Sequence, residues 1–171
     1  TDMKKIVFAA ILLCMTVVSG HPQKSPRNSY YITNQPPLVA QPYAALPLGA
    51  IHPEGWLLKM LELQRDGLTG NLDSVYSLVC GPGNGWLGGQ GDCWERGPYW
   101  IDGLVPLAYI LGDPGLKARV KQWIEWSIEN QRENGYFGPY PLPEDAPKIK
   151  GTQQTNSEDW WPKMVMLKAL Q

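Results

Sequence analysis

Two stretches of the chain combine carboxylates, amides and indoles in a way suited to recognising sugars. The first is Gly85-Trp86-Leu87-Gly88-Gly89-Gln90-Gly91-Asp92-Cys93-Trp94-Glu95-Arg96-Gly97-Pro98-Tyr99-Trp100. The second is Thr152-Gln153-Gln154-Thr155-Asn156-Ser157-Glu158-Asp159-Trp160-Trp161. Carboxylates and amides hydrogen-bond vicinal hydroxyls, indoles stack on a ring face, and glycines let the backbone approach closely. The candidate binding residues are therefore Trp86, Asp92, Glu95, Arg96, Trp100, Asp102, Asp159, Trp160 and Trp161.

Each candidate also has a structural reading. Asp92 could cap a turn, and Glu95 with Arg96 could form an ordinary surface ion pair, worth about 0–1 kcal/mol. Any single tryptophan could simply fill a helical core. Asp102 is the sharpest case, because it is a lone charge on an otherwise apolar helical stretch and an unpaired buried carboxylate is costly. Pro106 cannot donate to its carbonyl, so a kink is expected at that level.

The rest of the composition narrows the chemistry. Net charge is −1 and the 15 basic residues are scattered, so nothing tracks a phosphate backbone and a nucleic-acid partner is not expected. Eight tryptophans and eight tyrosines stand beside 18 glycines and 16 prolines. His21 and His52 lie in Pro-rich sequence, there is no Cys-x-x-Cys, and no metal site is read here. Cys80 and Cys93 could pair in an oxidising compartment or remain buried thiols.

The elements that must position these residues read as helices. Residues 54–66 form a first helix with Leu57, Met60, Leu61 and Gln64 on one face, ending at Gly67. A short helix is expected over 73–79, then a glycine-rich loop to Gly97. Pro98 to Leu111 is apolar on nearly every side and so should be buried all round. Gly112, Asp113 and Pro114 supply a C′ glycine, an N-cap and an N1 proline, starting a second, one-faced helix that runs to about Arg132. Its buried face should hold Leu116, Val120, Trp123, Ile124, Ser127, Ile128 and Gln131. Asp159 should cap the next helix, with Pro162 in its first turn. Inner apolar helices alternating with outer amphipathic ones predict an all-α fold, an (α/α)6-type toroid of which only the N-terminal part is present.

The two ends carry their own signals. Met3, Lys4-Lys5, the 13-residue apolar run from Ile6 to Val18 and Ser19-Gly20 read as a secretory signal peptide over 1–20. The run is too short for a spanning helix, so a secreted or periplasmic protein with no stable membrane span is expected. Residues 21–50 carry six prolines and form an extended leader. The domain proper spans 51–171. Its last helix shows no stop signal before Gln171, so the chain is expected to continue into the rest of that domain.

Three stretches together resemble glycoside hydrolase family 127-like proteins, typified by β-L-arabinofuranosidases. They are Gly-Asp-Cys-Trp-Glu-Arg-Gly-Pro-Tyr-Trp-Ile-Asp-Gly-Leu-Val-Pro-Leu-Ala-Tyr at 91–109, Gly-Tyr-Phe-Gly-Pro at 135–139, and Asp-Trp-Trp-Pro-Lys-Met-Val-Met-Leu-Lys-Ala-Leu-Gln at 159–171. The resemblance covers about Pro47 to Gln171. It implies a half-barrel of helical hairpins and a carbohydrate substrate. It also implies a zinc-held cysteine thiolate as nucleophile with a glutamate as acid, all on later helices. No catalytic residue is thereby assigned here, and the spacing of Cys80 and Cys93 does not match those ligands. The resemblance thus implies zinc in the full-length protein, and no cofactor is expected on the residues here.

Three function classes follow. The first is a glycoside hydrolase acting on polysaccharide or oligosaccharide side chains. The second is a secreted, non-catalytic glycan-binding toroid. The third is another toroid enzyme, such as an unsaturated-uronide hydrolase or a polysaccharide lyase, whose carboxylates act directly as acid and base.

Overall fold

A computed structural model describes residues 33–171. The expected signal peptide, and the leader up to residue 32, lie outside the described residues. The chain divides into two compact units between Pro47 and Leu48. In the first, residues 33–47 form exposed turns, held by Leu38 N–H donating to the Gln35 carbonyl (3.0 Å) and by the Asn34 amide donating to the Val39 carbonyl (2.7 Å).

The second unit is all-α: no strand occurs among the described residues. Its helices are α1 (Gly55–Asp66), α2 (Leu68–Val75), α3 (Ser77–Cys80), α4 (Arg96–Ile110), α5 (Pro114–Glu129) and α6 (Trp161–Leu170), with a 3-10 turn at Gly85–Leu87. None is long and apolar enough to cross a membrane.

The core sits where α4 packs against α5 and α6. It is built from Ile101, Leu104, Leu107 and Ala108 of α4, Leu116, Val120 and Trp123 of α5, and Met166 of α6. Trp100 and Trp123 meet edge to face at 5.8 Å and 72°, the geometry that the quadrupoles of two aromatic rings favour. The turn between α4 and α5 follows its residues. Gly112 takes φ +66, and the Asp113 side chain accepts the Leu116 N–H at 2.9 Å, leaving Pro114 at the helix start where no N–H is needed.

Several expectations are corrected. The short helix placed at 73–79 is two helices, α2 and α3, broken at Tyr76. It starts early because Gly67 ends α1 and caps α2 at once, while the Asn71 amide donates to the Asp66 carbonyl (3.1 Å) that α1 leaves free and to the Gly67 carbonyl (2.9 Å). Helix α4 begins at Arg96, with Pro98 in its first turn, and it is not buried all round. Tyr99 and Tyr109 are exposed, because α5 and α6 cover only part of its circumference. Helix α5 stops at Glu129, where the Asn130 amide turns back onto the Trp126 carbonyl, and Ile128 and Gln131 lie exposed. In α1, Leu61 reaches the core but Leu57 and Met60 remain exposed.

Candidate functional site

The two indole- and carboxylate-rich segments, far apart in sequence, are laced together. Cys93 N–H donates to the Gln153 carbonyl (2.9 Å), Gln153 N–H donates to Asp92 Oδ2 (2.8 Å), and Thr155 N–H reaches Cys93 Sγ (3.4 Å). Further along, Trp94 Nε1 donates to Asp159 Oδ2 at 2.6 Å and Trp161 Nε1 to Glu95 Oε2 at 2.5 Å. The second stretch is therefore fixed along the entrance to α4 before it enters α6.

Asp92 is the anchor of this junction. It has no exposed surface, and it accepts from Arg96 Nε (2.9 Å) and Nη2, from Gln153 N–H, and from Trp94 N–H at 3.3 Å. Arg96 also donates to the Gly151 carbonyl (2.9 Å) and lies over the Tyr76 ring, whose hydroxyl donates to the same carbonyl. Arg96 thus pairs with Asp92, not with Glu95, which the sequence offered as its partner. Trp86 is 0% exposed and donates to the Trp94 carbonyl at 2.9 Å, with Phe137 against its ring. Gly138, at φ +91, closes over the indole where a Cβ would come within 2.6 Å of Cη2. Trp100 is buried as well, donating to the Thr69 carbonyl (2.8 Å). In this fold Trp86, Asp92 and Trp100 present no face to a sugar.

The accessible candidates gather elsewhere. Asp102 and Trp161 line an open groove of about 260 Å³ between α4 and α6, with Tyr99, Met164, Val165 and Lys168. Asp102 is not a lone carboxylate: its side chain is 25% exposed and meets Lys168 Nζ at 2.8 Å. Tyr99, Met164, Val165 and Lys168 were not among the sequence candidates, although their signal was present. Tyr99 and Asp102 are three apart, Trp161 and Val165 four apart and Lys168 three further, so each set shares one helix face.

The N-cap of α6 is Trp160, one residue later than expected, and Asp159 Oδ1 accepts the Trp161 N–H at 2.9 Å from outside the helix. Trp160 stands edge-on to Tyr136 at 4.7 Å, beside a charged cluster. There Glu158 lies between Arg132 and Lys163, and the buried Lys163 also donates to the Asp159 carbonyl (3.0 Å). Comparison with family models, with curated proteins and with solved structures gives no match to this chain.

Acid should loosen this cluster. The Trp161 N–H, with help from the Trp94 indole, holds the Asp159 carboxyl below its usual range. For Glu158, burial pushes upward but the hydrogen bonds from Arg132 and Lys163 outweigh it, and the net shift is downward. Groups lowered on folding add stability above their unfolded pKa, roughly 4, and lose it as pH falls through the folded value. Thermal unfolding followed from pH 6 downward should therefore hold steady to about pH 4 and decline below it. A flat melting temperature down to about pH 3 would contradict these contacts.

Cys80 and Cys93 are free and buried. Burial pushes the Cys80 thiol up to about 12 and raises that of Cys93, so neither is a thiolate at neutral pH. Among the described residues no three His, Cys, Asp or Glu side chains group closely enough to hold a metal ion. These two cysteines do not fit a zinc-thiolate centre. Iodoacetamide at neutral pH should label them slowly in the folded chain and rapidly in denaturant. Fast labelling of the native protein at either position would show that it is accessible.

Proposed function

We propose that this chain forms the N-terminal part of an (α/α)6-type toroid in an exported glycoside hydrolase of the β-L-arabinofuranosidase-like kind, acting on polysaccharide or oligosaccharide side chains. The observation that carries this reading is the joining of the two segments. The Trp161–Glu95 and Trp94–Asp159 bonds bring the entrances of two inner-type helices together, beside a groove that offers an indole, a phenol, a carboxylate and an ammonium group. Those groups stack on sugar rings and hydrogen-bond their hydroxyls. The family-like motifs at 91–109 and 159–171 lie at this junction.

Asp102, Trp161 and Lys168 act here by binding and orienting substrate. The zinc-held thiolate that the resemblance implies belongs, in this reading, to other residues of the complete protein, since Cys80 and Cys93 are buried and protonated. The glycan-binding alternative draws on a different observation. Both carboxylates nearest the groove are already engaged, Asp102 by Lys168 and Glu95 by Trp161. Incubating the complete exported protein with p-nitrophenyl β-L-arabinofuranoside separates the two. Release of p-nitrophenol is expected, whereas binding of arabinan fragments with no turnover of any glycoside would favour the non-catalytic reading.

A further inference from the structure

A second pocket, of about 220 Å³, lies apart from the α4–α6 groove. It is walled by Trp126 of α5 and by Pro139, Tyr140 and Leu142, and floored by the loop from Gly88 to Gly91. The glycines at 89 and 91 have a structural cause, since their Cα atoms lie against the backbone of Gly83 and Leu78. Packing does not account for the rest. Trp126 Nε1, the Tyr140 hydroxyl and the Gln90 amide make no hydrogen bond among the described residues, and the carbonyls of residues 88–91 accept none there. A set of unengaged donors and acceptors beside two aromatic rings suits a ring bearing several hydroxyls.

Charge narrows the ligand further. The titratable residue in the lining, Cys93, is a buried thiol, so the lining carries no charge at neutral pH, which disfavours a uronate or phosphate and favours a neutral ring. Tyr140 is 69% exposed yet held in place, with the Arg132 guanidinium 3.8 Å from its ring centroid and Arg132 Nη2 donating to the Pro139 carbonyl (3.2 Å). Leu142 N–H is likewise tied to the Thr155 carbonyl at 2.9 Å. A fixed, exposed ring is a stacking platform whose ordering entropy is already spent on folding.

From this we infer that the Trp126–Tyr140 pocket binds one neutral monosaccharide residue, as a second carbohydrate site independent of the Asp102 groove. It goes beyond the glycosidase reading and does not require turnover, so either can fail alone.

The test is a titration of the isotopically labelled exported protein with L-arabinose, D-galactose and D-galacturonate. It follows the indole N–H signals, with that of Trp126 assigned through Trp126→Phe. Saturable movement of the Trp126 signal with a neutral sugar is expected. Tyr140→Ala, an exposed change that should leave the fold intact, is expected to weaken it about fivefold. Asp102→Asn should leave it unchanged. No saturable movement with either neutral sugar, a stronger response to galacturonate, or an affinity indifferent to Tyr140→Ala would each overturn the proposal.

Discussion

Asp92→Ala should destabilise the domain by about 3 kcal/mol, the lower end of the range for removing one partner of a buried ion pair. The lower end applies because the Arg96 side chain is about a third exposed and water can partly take over from the lost carboxylate. What remains is an arginine without its counter-ion and a Gln153 N–H without its acceptor. The lacing of residues 151–155 to the α4 entrance should weaken with it, raising hydrogen exchange there first. Urea unfolding of the two proteins measures the difference. A loss below about 1 kcal/mol would mean that Asp92 is not the anchor described, and would return it to the list of ligand-binding carboxylates.

Trp123→Ala should be at least as severe, costing about 3–5 kcal/mol. The residue is 1% exposed, packs edge to face on Trp100 and lies so close to Gly97 that a Cβ there would come within 2.6 Å of its ring. Truncation removes the wedge between α5 and the start of α4, and the surrounding helices can collapse only partly into the void. Against a typical total of about 5–15 kcal/mol, much of the folded population could be lost. Trp123→Phe keeps a ring in place and should cost less. Equal melting temperatures for the alanine variant and the parent would contradict this core.

The elements were legible where the signal is local. Gly112-Asp113-Pro114 carries the whole α4–α5 turn in three residues, because each side chain or missing group acts on its own backbone. The all-α class followed from apolar spacing in the same way. The site was less legible, because exposure is decided by segments distant in sequence. Trp86 and Trp94 look alike in the chain, yet the former is sealed by Phe137 and Gly138 and the latter reaches Asp159. Asp102 reads as a solitary charge only until α6 brings Lys168 beside it. Arg96 next to Glu95 suggested a pair, but adjacent residues at a helix start point in different directions. The guanidinium turned to Asp92, four residues back, and Glu95 was left to Trp161.

Asp102→Asn is the most direct test of the proposal that the junction between α4 and α6 binds a sugar. The change keeps the shape and removes the charge, and it breaks only a partly exposed ion pair, so stability should move by no more than about 1 kcal/mol. If the carboxylate orients substrate, kcat/KM on a β-L-arabinofuranoside should fall at least about tenfold while the melting temperature stays near that of the parent. An unchanged kcat/KM, with or without a lower melting temperature, would contradict it and leave Asp102 as a structural contact of Lys168.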